Sequence, residues 1–387
     1  MFRKMPFILL AVIALSFLAN FIFSMPVKSF FYSVSLLIKE IIIFTLPALI
    51  FGLLLKTSVQ LAKQASKTVI FLLVAVCLSN FISTLLSYSV GHFTYGLDLS
   101  MSLPSESESL APMYTIALPK IISNAKAMFL GLLSGIALSW IRPAYSEKVA
   151  KWLEKSISIF LKAFLSLIPL FIFGFMLKMN HDKIMVHILQ NYVLIFLLVT
   201  GAVFTYISFI YFAANRFLLN PFLRSVKNML PAGLVGFGSM SSAAALPLSI
   251  IGAEKNARNP DLARSFVPAT VNIHLIGDCF AIPIFAFAVL KNFGMVEPSF
   301  YSYLTFTAYF VLAKFSIAAV PGGGILVMLP VLESTLGFNA PMLSLITALY
   351  ILFDPVITSA NTLGNGGFVL VLDRLFSWKK KPAKVST

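Results

Sequence analysis

The sequence contains little charge. Asp, Glu, Lys and Arg make up only 11% of its 387 residues, whereas 59% are hydrophobic. A soluble chain cannot hide so large an apolar fraction from water, so lipid is expected to be the solvent for most of it. The scarcity of charge therefore excludes a soluble globular protein and predicts an all-α polytopic membrane protein. At roughly 20 residues a span, the length allows about eight spans and leaves no room for a sizeable soluble domain.

Cysteines and acidic residues are also scarce. The two cysteines, Cys77 and Cys279, lie apart in apolar runs, which excludes a disulfide framework or a cysteine metal cluster. With 29 basic residues against 14 acidic ones, the net charge is +15. Membrane proteins retain Lys and Arg on their cytoplasmic side, and this retention alone explains such an excess, so no nucleic-acid partner is predicted.

The sequence is rich in long apolar runs. The run after Arg3 and Lys4 is longer than a signal-peptide core and lacks a small-residue cleavage site, so it is expected to be the first span. Two other runs, near 221–253 and 300–335, are interrupted by small residues. The uninterrupted runs predict eight transmembrane helices near 6–24, 30–55, 68–91, 121–141, 157–177, 187–214, 264–290 and 342–372.

The distribution of basic residues predicts the topology. Loops 56–67, 142–156 and 215–227 carry Lys and Arg, whereas loop 92–119 carries neither. This alternation is consistent only if each interrupted run enters and leaves the membrane on one side. We therefore expect two re-entrant helical hairpins, both termini in the cytoplasm, and an integral protein of the plasma (inner) membrane. The hairpin-plus-span units, predicted to be inverted repeats, lie near 221–290 and 300–372.

The two interruptions predict a binding site. One contains Ser241 and Ser242, and the other runs from Val320 through Gly322 to Gly324. Small residues let the backbone leave helical geometry, and the N–H groups freed at half-helix N-termini attract an anion such as a carboxylate. The freed carbonyls can hold a cation. Paired interrupted helices are typical of transporters whose site lies at the middle of the bilayer.

A polar stripe follows the second interruption. Asp354, Thr358, Asn361 and Asn365 are spaced at i, i+4, i+7 and i+11, so they share one face of a helix. Burying Asp354 in lipid costs a few kcal/mol, which predicts that the stripe faces a cavity. The alternative is a helix–helix seam of hydrogen bonds.

Four further polar residues lie where lipid-facing positions would be apolar. Asn272, His274 and Asp278 follow the first interruption, and Lys314 lies six residues before Val320. At i and i+4 on a predicted helix, His274 and Asp278 would form a pair able to exchange a proton near neutral pH, or merely a pair that orients the helix. The ammonium of Lys314 could lie where a metal ion would otherwise bind. No metal site is assigned with certainty.

These motifs together resemble the dicarboxylate/amino acid:cation symporter family, the glutamate-transporter homologues. The resemblance covers nearly the whole chain. It rests on these segments: Leu37-Ile38-Lys39 with Pro47; Asn220-Pro221 through Ser241-Ser242 to Leu246-Pro247; Thr270-Val271-Asn272; Val320-Pro321-Gly322-Gly323-Gly324; and Asp354, Thr358, Asn361 and Gly364.

The resemblance implies a fold and a mechanism. It implies a homotrimer in which a transport domain slides against a fixed scaffold, as an elevator. Residues 1–220 would be mainly scaffold and trimerisation spans, with the third and sixth spans able to move with the transport domain. Residues 221–374 would be the transport core, and 375–387 a basic cytoplasmic tail.

The resemblance also implies roles for individual residues. The tips at Ser241–Ser242 and at Val320 and Gly322 would hold the α-carboxylate of a substrate, with help from Asn361. Asp354 would take its amine, with Thr358 alongside. Asn272, His274 and Asn365 would belong to the coupling-ion region, to which the polar pattern of the sequence adds Asp278 and Lys314. The protein would be a symporter of an amino acid or a dicarboxylate, driven by sodium or protons, with no other cofactor and no catalytic residue.

The departures from the family pattern change the expected substrate and ion. Ile357 and Met240 replace the two alternative arginines that neutralise an acidic side chain, so a neutral amino acid is favoured. His274 and Asn365 replace two sodium-ligating aspartates, so proton coupling through His274, Asp278 or Asp354 is a hypothesis beside sodium coupling.

Two other functions fit parts of the sequence. In an intramembrane serine hydrolase, Ser239 would be the nucleophile and His274 the base, but no orienting group is evident except Asp278 on the same predicted helix. A channel-like or transport-inactive homologue would explain the missing cation ligands, although Asp354 and Asn361 are retained.

Overall fold

The structure, a computed structural model, describes residues 5–63, 67–97, 109–119, 121–122, 124–182, 184–315 and 323–379. Within these residues the chain forms thirteen α-helices and no β-strand, which confirms the all-α expectation. The helices are α1 (Met5–Ile22), α2 (Met25–Lys63), α3 (Lys67–Gly96), α4 (Asn124–Ile141), α5 (Pro143–His181), α6 (Ile184–Ala214), α7 (Leu219–Ser239), α8 (Ser242–Asn256), α9 (Pro260–Thr270), α10 (Ile276–Asn292), α11 (Phe300–Lys314), α12 (Gly323–Leu336) and α13 (Ala340–Lys379).

The long apolar runs become the long helices. Each of the first six predicted spans overlaps one of α1 to α6, and the last predicted span lies inside α13. By length and composition alone, three stretches of the described residues are long and apolar enough to cross a membrane: Ile70–Gly96, Tyr192–Ala214 and Leu345–Phe376. α13 continues to Lys379, so the predicted basic tail begins within a helix.

Helix α2 is the centre of one group of helices. It packs against α4 and α5, and α1 packs against α5. Two glycines four residues apart on α4 let its backbone approach that of α2. A Cβ added to Gly131 would lie 2.5 Å from the Phe51 carbonyl oxygen, and a Cβ added to Gly135 would lie 2.6 Å from the Leu55 carbonyl oxygen. Such small-residue spacing is a common way to pack helices where lipid supplies no hydrophobic driving force.

Helix α10 is the centre of a second group. Every residue from Ile276 to Leu290 is buried, and α10 packs mainly against α3, α13 and α6. From Cys279 to Leu290 the helix is apolar on all sides, as expected of a helix enclosed by other helices. Helices α7, α8, α9 and α11 complete this group through contacts with α13, α3 and one another.

The first interrupted run forms two antiparallel helices. α7 ends at Met240, whose backbone is left-handed (φ 49°, ψ 33°), and α8 begins after Ser241, whose hydroxyl accepts a hydrogen bond from the Ala244 N–H. At the other end of the pair, the Asn228 amide donates to Asn256 Oδ1 at 2.8 Å. The break therefore lies where the sequence predicts it. In the second interrupted run α11 packs against α12, and the predicted tip, with Val320 and Gly322, lies outside the described residues.

The predicted span at 264–290 is not one continuous helix, and the prediction is wrong on this point. The structure has two helices there, α9 and α10, separated by non-helical residues 271–275. The break is stable because its backbone groups find partners elsewhere: the Asn80 side chain of α3 donates to the Ile273 carbonyl at 2.7 Å and accepts from the Leu275 N–H at 3.3 Å. Hydropathy does not reveal the break, since its own residues are mostly apolar.

Candidate substrate and coupling site

The polar stripe of α13 begins with a buried carboxylate. Asp354 is only 3% exposed, and Thr358, one turn further, donates its hydroxyl proton to Asp354 Oδ1 at 2.9 Å. Both side chains lie on one face, as their spacing predicts. The hydroxyl fixes the orientation of the carboxylate, which is a requirement for any ligand that binds by charge and direction.

The other half of the stripe is engaged with the α9–α10 break. Asn361 Oδ1 accepts hydrogen bonds from the N–H groups of Gly277 at 2.8 Å and Asp278 at 3.4 Å, in the first turn of α10. Asn365 Oδ1 accepts from the Thr270 hydroxyl at 2.7 Å, at the end of α9. The bonds to Asn361 satisfy N–H groups in the first turn of α10 that would otherwise be buried without partners. The stripe therefore combines a charged half with a half that forms a helix–helix seam.

The first tip approaches the stripe along α7. A Cβ on Gly236 would lie 2.8 Å from Thr362 Oγ1 and 3.2 Å from the Thr358 carbonyl oxygen, and one on Gly233 would meet Leu363. The later glycine on α7 meets the earlier residues of α13, so the two helices are antiparallel. The end of α7 at Met240 is therefore directed toward Asp354. Ser241 uses its hydroxyl as the cap of α8, and Ser242 is the first residue of that helix, partly buried.

The second tip lies outside the described residues, but the helix after it reaches the same region. Gly324, in the first turn of α12, is buried, and a Cβ there would overlap the Tyr350 hydroxyl and lie 3.1 Å from Asp278 Oδ1. The start of α12 therefore lies against α13 one turn before Asp354. The predicted roles of Val320 and Gly322 remain predictions.

Tyr350 is a polar residue of this region that the sequence prediction missed. Its hydroxyl donates to Asp278 Oδ1 at 2.6 Å, and both residues are buried. Tyr350 lies four residues before Asp354, so extending the stripe by one turn would have found it.

The predicted pairing of His274 with Asp278 is wrong. His274 lies in the break, before α10 begins, so the two residues do not share a helical face. Its Nε2 is 2.9 Å from Ser79 Oγ, and its ring stacks on Phe368 with centroids 4.0 Å apart. Asp278 lies 3.2 Å from the ammonium of Lys314 instead. Asn272, also in the break, is exposed and is not brought into this cluster.

Asn80 of α3 is the second residue that the sequence prediction missed. It is fully buried and binds both sides of the His274 position, through Ile273 and Leu275. A polar residue in the middle of the predicted third span was the available signal, since such residues mark helix contacts or sites.

We expect Asn80→Leu to lower the free energy of unfolding by about 2–4 kcal/mol, because it leaves the Ile273 carbonyl and the Leu275 N–H without their partner. Thermal unfolding of the detergent-solubilised protein measures the change. Thr94→Val is the matched control on the same helix, since Thr94 donates to the Val90 carbonyl of its own helix. Equal losses in the two variants would contradict a special role for Asn80.

The geometry does not favour hydrolysis. Ser239 donates its hydroxyl to the Val235 carbonyl at 2.6 Å, within its own helix, while His274 contacts Ser79. Among the described residues, no group of three or more His, Cys, Asp or Glu side chains is placed to hold a metal ion. What the stripe offers is a buried carboxylate, Asp354, oriented by Thr358 beside interrupted helices.

Comparison with known proteins finds transporters among the relatives of this chain. The chain is 30% identical over 147 residues to an excitatory amino acid transporter of Onchocerca volvulus, covering 38% of this chain and 29% of that relative. It is 23% identical over 340 residues to the serine/threonine transporter SstT of Acinetobacter baumannii strain AYE, covering 82% and 83% of the two chains. The same values hold for SstT of strain AB307-0294.

The match to a family is longer than either alignment. Residues 5–375 match the model of the sodium:dicarboxylate symporter family, which is a family of membrane transporters and not of enzymes. Because this match spans nearly the whole chain, the chain is an integral membrane protein and belongs to the sodium:dicarboxylate symporter family.

Proposed function

We propose that the chain is a secondary active transporter of a small neutral amino acid. The observation that carries the proposal is the buried Asp354 carboxylate, oriented by Thr358 on the face toward which α7 ends. An oriented carboxylate in a low-dielectric site is suited to the ammonium group of an amino acid. The tips of both interrupted runs would supply N–H donors for the α-carboxylate.

The preference for a neutral side chain rests on two apolar residues. Ile357 is buried and lies three residues from Asp354, so it shares the stripe's side of α13. Met240 is buried at the first tip. Neither offers a guanidinium to a second carboxylate, and a buried unpaired carboxylate is costly. A serine/threonine transporter among the relatives is consistent with this preference.

We further propose that protons, and not sodium, drive transport. Sodium favours several hard oxygen ligands, but Asn365 is neutral and both ends of its amide are hydrogen bonded, to Thr270 and to the Val267 carbonyl. His274 presents nitrogen, and it lies against Ser79 and Phe368. The residues that replace the family's aspartates are therefore built into the packing of the break.

The packing supports an elevator mechanism. Helices α1, α2, α4 and α5 contact one another extensively, whereas α3 and α6 pack with α7 to α13 around α10. We propose that the first group is the scaffold and the second the moving domain. The re-entrant path of both interrupted runs, the cytoplasmic termini, the homotrimer and the plasma membrane location belong to the same proposal.

Uptake into reconstituted vesicles tests these proposals. Serine, threonine, alanine, aspartate, glutamate and succinate are offered under separately imposed proton and sodium gradients. We expect saturable accumulation of the neutral amino acids above equilibrium, driven by an inward proton gradient. Accumulation driven by sodium and indifferent to pH would overturn proton coupling. Flux that only equilibrates would favour a channel, and preferred uptake of aspartate or succinate would contradict the assigned substrate.

A further inference from the structure

Lys314 is a charged residue in a fully enclosed position. It is the last residue of α11 and its side chain is 0% exposed. An ammonium group in such surroundings requires compensation of its charge, because removing it from water is energetically unfavourable. Its neighbours therefore show what the position is built to hold.

The groups around the ammonium are those that would hold a small monovalent cation. Asp278 Oδ2 is 3.2 Å from Lys314 Nζ, and the Leu275 carbonyl oxygen is 3.4 Å from it. The Phe310 ring lies beneath it, with the centroid 4.5 Å from Nζ. Carboxylate and carbonyl oxygens are ligands of hard cations, and aromatic faces also attract cations.

The carboxylate in this shell is itself fixed. Asp278 is 1% exposed, and its other oxygen accepts the Tyr350 hydroxyl proton at 2.6 Å. The Leu275 carbonyl oxygen lies at the start of α10, where it accepts a hydrogen bond from the Cys279 N–H at 3.1 Å, and its second lone pair can accept from the ammonium. An oriented carboxylate and a carbonyl at a helix break are two features that an ion site in an interrupted helix would use.

Four helices meet at this carboxylate. Lys314 comes from α11, Asp278 from α10, Tyr350 from α13, and Gly324 of α12 lies against Asp278 and Tyr350. Both arms of the second interrupted run therefore contact one charge on α10. A diffusible ion at this point would hold the arms only while bound, whereas a lysine holds them throughout.

We propose that Lys314 is a built-in cation: its ammonium occupies a monovalent cation site formed by Asp278, the Leu275 carbonyl and Phe310. The position consequently takes no inorganic ion from either side of the membrane, and the second interrupted run stays attached to α10 irrespective of the salt outside. What the inference says about ion coupling during transport rests on the proposed function. What it says about cation binding at this position does not.

Removing the ammonium should expose the ion site. We expect purified Lys314→Ala to unfold at a lower temperature than the parent protein in choline chloride. Sodium, lithium or potassium chloride at the same ionic strength should restore stability saturably, with a shift of about 3 °C or more for the best-fitting ion. Lys314→Met, which fills the space without charge, should show no such response.

The parent protein and a double variant complete the test. The parent protein should show no stabilisation by any one of these cations, and Asp278→Asn/Lys314→Ala should lose the response of Lys314→Ala. The inference is overturned if Lys314→Ala folds and responds to none of the cations. It is also overturned if the parent protein shows saturable sodium stabilisation that Asp278→Asn/Lys314→Met lacks. This last comparison decides the matter even if Lys314→Ala does not fold.

Uptake measurements separate this inference from the proposed function. If Lys314→Ala gains a cation response while the parent protein transports no amino acid, the ion site stands and the transport proposal falls. If the parent protein transports amino acids but Lys314→Ala shows no cation response, the transport proposal stands and the inference about the ion site falls.

Discussion

Asp354→Asn is expected to reduce neutral amino acid uptake about 30-fold or more, because it removes the charge that would pair with the substrate ammonium in a buried site. Losing one partner of a desolvated charge pair costs about 2–5 kcal/mol, and 2 kcal/mol corresponds to roughly 30-fold in an equilibrium constant. Asparagine has nearly the same shape and can still accept the Thr358 hydroxyl bond, so the fold should persist. Initial rates of uptake into vesicles measure the loss.

Controls distinguish loss of the charge from loss of the fold. Thr347→Val on the same helix removes a buried hydroxyl that donates to the Leu343 carbonyl, and it should leave uptake nearly unchanged. Thr358→Val should reduce uptake less than Asp354→Asn, since it removes the orientation of the carboxylate but not its charge. Uptake of a dicarboxylate without an amine, if any is measurable, should be less affected. Unchanged amino acid uptake in Asp354→Asn would refute the amine assignment.

The second large effect, on stability and uptake, is expected from adding one methyl group to Gly277. A Cβ on Gly277 would overlap the Ile357 carbonyl oxygen and lie 2.9 Å from Asn361 Oδ1, so Gly277→Ala should force α10 away from α13. Overpacking of this kind costs about 1–3 kcal/mol, and the displaced Asn361 bond adds to it. We expect the unfolding temperature of the purified protein to fall by several degrees and uptake to be lost with the geometry of the break.

Gly238→Ala is the matched control, because Gly238 is also helical and a Cβ there would meet nothing within 4 Å. The same substitution should be neutral, or stabilise the helix by up to about 1 kcal/mol. The change in stability is therefore expected to have opposite signs in Gly277→Ala and Gly238→Ala. Similar unfolding temperatures in both variants would contradict the close approach of α10 and α13.

Much of the helical framework could be predicted because its signals are local. Apolar runs of span length became α1 to α6 and α13, and the break at Met240 and Ser241 lies among the small residues that predict it. The stripe from Asp354 to Asn365 was likewise found from its spacing alone. Helical periodicity needs no knowledge of what a face contacts.

The predictions that failed depend on partners distant in the sequence. The α9–α10 break is stabilised by Asn80 of α3 and Asn361 of α13, and nothing near residues 271–275 signals those bonds. On a continuous helix, Asp278 would pair with His274. In the structure, the partners of Asp278 are Lys314 and Tyr350. Lys314 was singled out as unusual, but its counter-charge could not be identified without the break. Spacing predicts which residues share a face of a helix, and only the packing shows what that face meets.

The enclosure of α10 has a consequence for how the protein is made. Asp278 precedes in the chain both residues that hold its carboxylate, Lys314 and Tyr350. A chain truncated after Asn292 lacks both partners and leaves the acid without its counter-charge. We therefore expect α10 to reach its enclosed position only after α11 and α13 have been added to the chain.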